Sequence, residues 1–279
     1  MLLGVNGLGL LLVASGAGYA SLGTLLLGAI GLSFVAERIS PFEEEWSRDR
    51  GDTGRDTVHA LVNEGLHLVT LALVPFIGPM LAVWDIWPHH WPFAVQVVVA
   101  LFVLDFGVTL CHWASHKVDW LWRFHAVHHS VERMYGFNGL MKHPVHQSIE
   151  TFSGALPLLL IGLPGDVTLA MVFCVSVQLL LQHSNVGYAL GPLRYVLALN
   201  ATHRFHHLRW PEVGDVNFGL VTHVWDHVLG TFSYDPRRTF SSADLGMESE
   251  PDYPKAYLPQ LLRPFGVTLS APRAHEAHL

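Results

Sequence analysis

The chain has 279 residues, of which 51% are apolar and only 14% charged, with a formal charge of −7 and a mean hydropathy of +0.34. Soluble proteins carry about 25% charged residues, so this composition excludes an ordinary soluble domain. An acidic balance without any basic run excludes nucleic-acid binding, and two cysteines are too few to ligate an iron–sulfur cluster.

The first 36 residues contain no Lys or Arg. A cleavable signal peptide needs a basic stretch before its apolar core, so this start reads as a retained membrane segment. Apolar stretches run over about 5–36, 57–83, 91–111, 147–163 and 166–182. A span needs about 20 apolar residues, which the first three provide. The last two are shorter and are divided only by Leu163-Pro164-Gly165-Asp166; they fit either tilted spans or a hairpin that enters and leaves on one face. The opening stretch is too long for one straight span, and Gly16 and Gly18 are placed to break it. Cys111 and Cys174 lie in apolar segments and read as buried free thiols.

Arg38, Arg48, Arg50 and Arg55 fall between the first and second stretches, and Lys117, Arg123, Arg133 and Lys142 between the third and fourth. The remaining basic residues follow the fifth, and the connections at 84–90 and 162–166 hold none. This alternation is that of consecutive spans with basic loops inside, so 37–56, 112–146 and the C-terminal region are expected to be cytoplasmic. From about 235 the chain is rich in proline and charge and reads as an extended wrap with short helices.

Three histidine clusters follow the apolar segments or lie at their ends: His112 with His116, His125 with His128 and His129, and His203 with His206 and His207. Spacings of three and four put imidazoles on one helical face. Neutral imidazole is the commonest nitrogen ligand for transition metals, and three clusters hold more nitrogens than one tetrahedral ion can use. The spacing therefore points to two metal ions, all on the cytoplasmic side. Asp105 lies seven residues before His112, on nearly the same face, and is placed to accept the second N–H of a ligand imidazole, as Asp226 is for another histidine; structural hydrogen bonding is the alternative for both. Glu64 and His67, three apart, are expected to pair. His89 and His90 fall in the loop on the opposite side, His275 and His278 in the tail, and His146 fits either a ligand or a bystander.

The wording around the clusters extends this. Leu104-Asp105-Phe106 leads into His112-Trp113-Ala114-Ser115-His116, then Leu121-Trp122-Arg123-Phe124-His125-Ala126-Val127-His128-His129. Later come His203-Arg204-Phe205-His206-His207, Asn217-Phe218-Gly219, Trp225-Asp226 and Gly230-Thr231-Phe232. This ordered set, with Tyr253-Pro254 and Gln260 to Phe265, strongly resembles the sterol desaturase and fatty acid hydroxylase superfamily, in its bacterial form, over about residues 33–266. The resemblance implies a single all-α domain over 1–279, a polytopic membrane bundle of about four to five segments with a cytoplasmic helical cap. It implies a non-haem di-iron centre of two iron ions that uses O2 and two external electrons to hydroxylate or desaturate a lipid C–H bond. Sterols, fatty acyl chains, other isoprenoids and ether lipids are the substrate classes it leaves open. Electrons are expected from a separate donor, a cytochrome or a ferredoxin with its reductase, at a bacterial inner membrane.

Carried over residue by residue, the eight clustered histidines match the family's ligand motifs, and His183 in Gln182-His183-Ser184-Asn185 matches a further one. His143, before Pro144, resembles a His-Pro element and is a tenth candidate ligand, a structural role being the alternative. Fatty acid 2-hydroxylases carry an extra histidine pair near positions where this chain has Gln178 and Gln182, which sets it apart from that branch. His223 and His227 fall where family members usually carry other residues and are expected at the surface or behind the ligands. The rival classes are a membrane zinc hydrolase, whose glutamate base no cluster contains although Glu132 lies close by, and a non-catalytic metal-binding membrane protein, whose histidines would line a path across the bilayer.

Overall fold

The computed structural model describes residues 1–267 and is all-helical, with no strand among them beyond isolated bridges. The opening apolar stretch is two helices, α1 (Leu2–Ala14) and α2 (Tyr19–Ile39). The break falls at the expected glycines: Gly16 takes a φ of +71°, a conformation that strains any L side chain, and α2 begins directly after Gly18. Then follow α3 (Thr53–Leu81), α4 (Phe93–Ser115), α5 (Asp119–His129), α6 (Pro144–Leu160) and α7 (Gly165–His183). Shorter helices complete the order: α8 (Asn200–His206), α9 (Pro211–Gly214), α10 (Val224–Leu229) and α11 (Tyr257–Leu262).

Four helices are long and apolar enough to cross a bilayer: α2, the Thr53–Val74 part of α3, α4 and α7. The fourth and fifth apolar stretches resolve into α6 and α7, and α6 is the shorter at 17 residues. Two connections return the chain from the far end of the bundle, after α3 and after α6, and they touch there: Val83 N and Trp84 N both donate to Leu160 O. Consequently α4 and α7 run toward the same end, which is how His112, His116 and His183 arrive together.

α4 packs against both α6 and α7. Its crossing with α6 is backbone on backbone, because a Cβ at Gly107 would lie 2.2 Å from Ser153 O and one at Gly154 2.9 Å from Leu104 O. Small residues at a crossing are what allow helices without a hydrophobic driving force to approach this closely. α5 and α8 pack at the histidine end, against α4 and α6 and against α7 respectively.

The loop between α5 and α6 is tied down by buried acids at the same end. Asp52 accepts from Arg133 Nε (2.9 Å to Oδ2) and Nη2 (2.8 Å to Oδ1), and Asp56 from Tyr135 Oη and Asn138 Nδ2, both at 3.0 Å. Glu37 Oε1 accepts from Gly136 N at 2.9 Å and from Asn185 N at 3.1 Å, joining α2, this loop and the end of α7. Removing one partner of such a buried pair costs about 3–5 kcal/mol. The chain beyond 235 is an extended wrap as expected: Glu248 N donates to Arg209 O, and Gln260 Oε1 lies 2.9 Å from His59 Nε2 on α3. His275 and His278 lie outside the described residues.

Candidate metal centre

Nine histidines converge in two groups at one end of the bundle. The first holds His112, His116, His125, His129 and His206; the second holds His128, His183, His203 and His207. Helical geometry explains the division. At about 100° per residue, positions i and i+4 are about 40° apart, whereas i+3 points about 100° away from i+4. Thus α5 sends His125 and His129 to the first group and His128 to the second. The third cluster does the reverse, with His203 and His207 in the second group and His206 in the first.

The donor set fits a pair of cations. His112 Nδ1 donates to Phe218 O and His206 Nδ1 to Val216 O, both at 2.9 Å, so each ring's Nε2 carries a lone pair. Those two Nε2 atoms face one another at 2.9 Å. In the second group His183 Nδ1 faces Leu179 O, and its Nε2 stands 3.0 Å from His203 Nε2 and 3.3 Å from His207 Nε2. Lone pairs at this separation repel unless a cation lies between them. Burial, reinforced by neighbouring rings, pushes the imidazoles of His125, His128, His129, His203, His206 and His207 well below their ordinary pKa, so they are held in the neutral, ligating form. An all-imidazole set suits iron, zinc or copper.

A strap following α9 orients several of these rings. Asp215 Oδ1 accepts from His116 Nδ1 at 2.9 Å, while Val216 O and Phe218 O serve His206 and His112. Burial raises the Asp215 pKa, but hydrogen bonds from His116 and Lys117 outweigh it and bring it to about 2. Asp215 was not singled out by the sequence; nothing in the spacing of a loop carboxylate announces which helix it will face. The strap is itself anchored by Asp105 and Asp226, which take the structural alternative and do not hold ligands directly. Asp105 does not reach His112. It accepts from Leu220 N (3.0 Å), Val221 N (2.8 Å), Thr222 N (3.0 Å) and Thr222 Oγ1 (2.7 Å). Asp226 accepts from Phe218 N and Gly219 N at 2.7 and 3.0 Å and from His223 Nδ1 at 2.8 Å. Both carboxylates act one step removed, through the backbone whose carbonyls hold the ligands.

His143 is a correction, since it belongs to neither group. It caps α6: its Nδ1 accepts from Val145 N at 3.1 Å, and its Nε2 donates to Leu261 O at 3.1 Å, so both nitrogens are used. His223 is buried rather than superficial, with Nε2 2.8 Å from Thr202 Oγ1, and so ties α8 to Asp226. His227 sits toward the surface against Tyr195 O. His89 and His90 lie before α4, at the end remote from the clusters. His67 Nδ1 and Glu64 Oε1 are 3.9 Å apart, as expected of a pair. The undecided His146 packs its tilted ring with its centroid 4.5 Å from that of His125, binds Ser115 Oγ at 2.8 Å and lies 3.7 Å from Glu150 Oε2.

Beneath the histidines is a narrow cavity of about 70 Å³ between the long helices. Its walls are helical stripes that lead to ligands: Leu104 and Val108 continue at the same four-residue step to His112, and Met171, Val175 and Leu179 to His183. The cavity thus lies on the same helix faces as one ligand of each histidine group, about one turn away along α4 and α7.

Fold and site together define an integral membrane helical bundle with a histidine-rich centre suited to two metal ions. The fatty acid hydroxylase family profile matches residues 97–231, which span all three clusters. The ornithine lipid hydroxylase OlsE of Rhizobium tropici is 33% identical over 248 residues, covering 86% of this chain and 74% of that protein. Alkylglycerol monooxygenases from Danio rerio (over 148 residues) and Homo sapiens (over 129) are each 32% identical, covering 51% and 46% of this chain but only 32% and 28% of their own lengths. No solved structure matches. The chain belongs to the fatty acid hydroxylase family.

Proposed function

We propose that this chain is a membrane-bound di-iron lipid hydroxylase, with its metal centre at the cytoplasmic face of a bacterial inner membrane. The observation that carries this reading is the convergence of nine imidazoles in two buried groups, with the Nε2 atoms of His112 and His206 turned on one another, next to a largely apolar cavity whose wall helices lead to them. His112, His116, His125, His129 and His206 hold one iron, and His128, His183, His203 and His207 the other. When bound, the irons supply reductive activation of O2 with two electrons from a separate cytochrome or ferredoxin, one oxygen atom entering the lipid and the other leaving as water. The relatives named as a hydroxylase and as monooxygenases favour hydroxylation over desaturation, and their names favour a polar lipid over a sterol.

The protein's own part is positional. Asp215 and the carbonyls of Val216, Phe218 and Met141 fix ring orientation, and burial keeps the imidazoles neutral. Leu104, Val108, Met171 and Val175 exclude water and hold a methylene against the centre. The basic loops of the sequence support the cytoplasmic assignment. The test is to purify full-length protein from iron-replete cells, measure metals, and compare lipids by mass spectrometry. Two irons per chain and a lipid gaining one oxygen are expected, and His128→Ala or His206→Ala should lose both while still inserting in the membrane. One zinc per chain with no oxygenated lipid would overturn the reading.

A further inference from the structure

The cavity below the histidines is lined mostly by apolar side chains, and the polar ones among them are concentrated on or next to α6. Gln147 and Glu150, three apart on α6, both line it, together with Lys142 from the preceding loop. All three are buried, at 5%, 3% and 8% exposure. Part of their capacity is used internally: Glu150 Oε2 pairs with Lys142 Nζ, and the Gln147 amide contacts His67 Nε2. What remains is two oxygens, Gln147 Oε1 and Glu150 Oε1, each buried and without a hydrogen bond. Buried acceptors left without a donor are costly, and native proteins keep few of them. A hydrocarbon chain in the cavity would leave both unsatisfied for as long as it stayed.

Glu150 also lies close to the centre, with a carboxylate oxygen, a His125 nitrogen and a His146 nitrogen all within 4.8 Å of one another. His146, between Lys142 and Gln147 in the chain, packs its tilted ring with its centroid 4.5 Å from that of His125, and its Nδ1 is 3.7 Å from Glu150 Oε2. The cavity holds only a short stretch of chain, and Val108 and Leu179 in its wall lie one helical turn before His112 and His183, so a group bound by Gln147 and Glu150 is held near the metal centre.

We propose that Gln147 and Glu150 are specificity-determining residues that recognise a hydrogen-bond donor on the substrate, an amide N–H or a hydroxyl, placed near the reacting carbon. The inference rests on the lipid hydroxylase reading and narrows it to amphiphiles that carry a donor close to the site of oxidation. Plain acyl chains and lipids offering acceptors alone are the ones such a wall rejects. Sites built to hydrogen-bond a substrate discriminate more sharply against an analogue lacking that group than apolar pockets discriminate by size.

The experiment uses metal-loaded, full-length protein in nanodiscs, with tritiated N-methylhexadecanamide as the bound probe. Unlabelled N-methylhexadecanamide and N,N-dimethylhexadecanamide compete; they share a chain and a carbonyl and differ in the N–H. The secondary amide is expected to compete about tenfold better or more. In Gln147→Leu and Glu150→Leu combined, which removes both acceptors, that ratio should fall to near one at unchanged metal content. Equal competition on the unmodified protein, or a preference that survives the double substitution, would overturn the proposal. Because the first comparison needs no variant, a misfolded variant does not remove the test. Lipid oxygenation, assayed separately, distinguishes the two readings: donor preference without oxygenation overturns the hydroxylase assignment alone, and oxygenation without donor preference overturns this one alone.

Discussion

Asn217 is the one non-glycine residue with a positive φ among the described residues, at +55°. The turn it makes is what lets one strap present the Asp215 carboxylate, Val216 O and Phe218 O to three different rings. Asparagine tolerates this conformation better than other L residues, and its amide spans the strap, donating to Thr202 O at 2.9 Å and Ser233 O at 2.8 Å. Asn217→Val should lose both advantages and destabilise the protein by about 2–4 kcal/mol, with Asn217→Gly in between because it keeps the backbone and loses only the amide. Thermal midpoints in detergent give the order; a Val variant as stable as the Gly variant would show that the backbone conformation is not what matters. Residue by residue, the nine converging histidines were legible because helical spacing alone puts rings on a common face, and the motif wording supplied His183. Asp215 was not, since its contact with His116 spans about a hundred positions and leaves no local trace. His143 was misplaced because a histidine directly before proline also suits a helix N-cap, with Pro144 as the first helical residue.

The elements hold these residues at fixed separations, and the α4–α6 crossing sets the most sensitive of them. A methyl group at Gly107 would meet Ser153 O at 2.2 Å, and that atom is backbone and cannot swing away. Gly107→Ala should push α6 from α4, cost at least about 1–3 kcal/mol, and lower metal occupancy by displacing His112 and His116 relative to α5. Gly165→Ala, with nothing within 4 Å of the new methyl, is the matched control and should be near neutral. Metal content per chain and thermal midpoint, measured on both, decide it; two variants of equal stability would mean that the crossing widens at little cost. The long helices and the break near Gly16 followed from hydropathy and glycine placement. The crossing did not, because a glycine in an apolar run reads the same whether it faces lipid or a neighbouring backbone. For the same reason the apolar stretches at 147–163 and 166–182 gave two helices but not which of their faces met α4.

At the scale of the whole molecule, collecting so many imidazoles in one dry place makes folding sensitive to acid. The unfolded chain titrates its histidines near the ordinary value of about 6.5, whereas the buried rings of His125, His128, His129, His203, His206 and His207 titrate well below it. Between those limits the unfolded state binds more protons, so stability is fully present above about pH 6.5 and is lost as the pH falls below it. Each ring that stays neutral in the folded state steepens the loss by up to about 1.4 kcal/mol per pH unit. Metal-stripped protein should therefore show a thermal midpoint that drops steeply from pH 7 to pH 5. Metal-loaded protein should hold its midpoint further into acid, because bound metal and protons compete for the same lone pairs and the metal adds its own binding free energy to the folded state. His206→Ala, which removes one such ring, should flatten the slope of the stripped protein even though it lowers its midpoint at neutral pH. A stripped protein with a flat profile across this range would mean that the rings take up protons without unfolding, and that the two groups are open enough to water to accept charge.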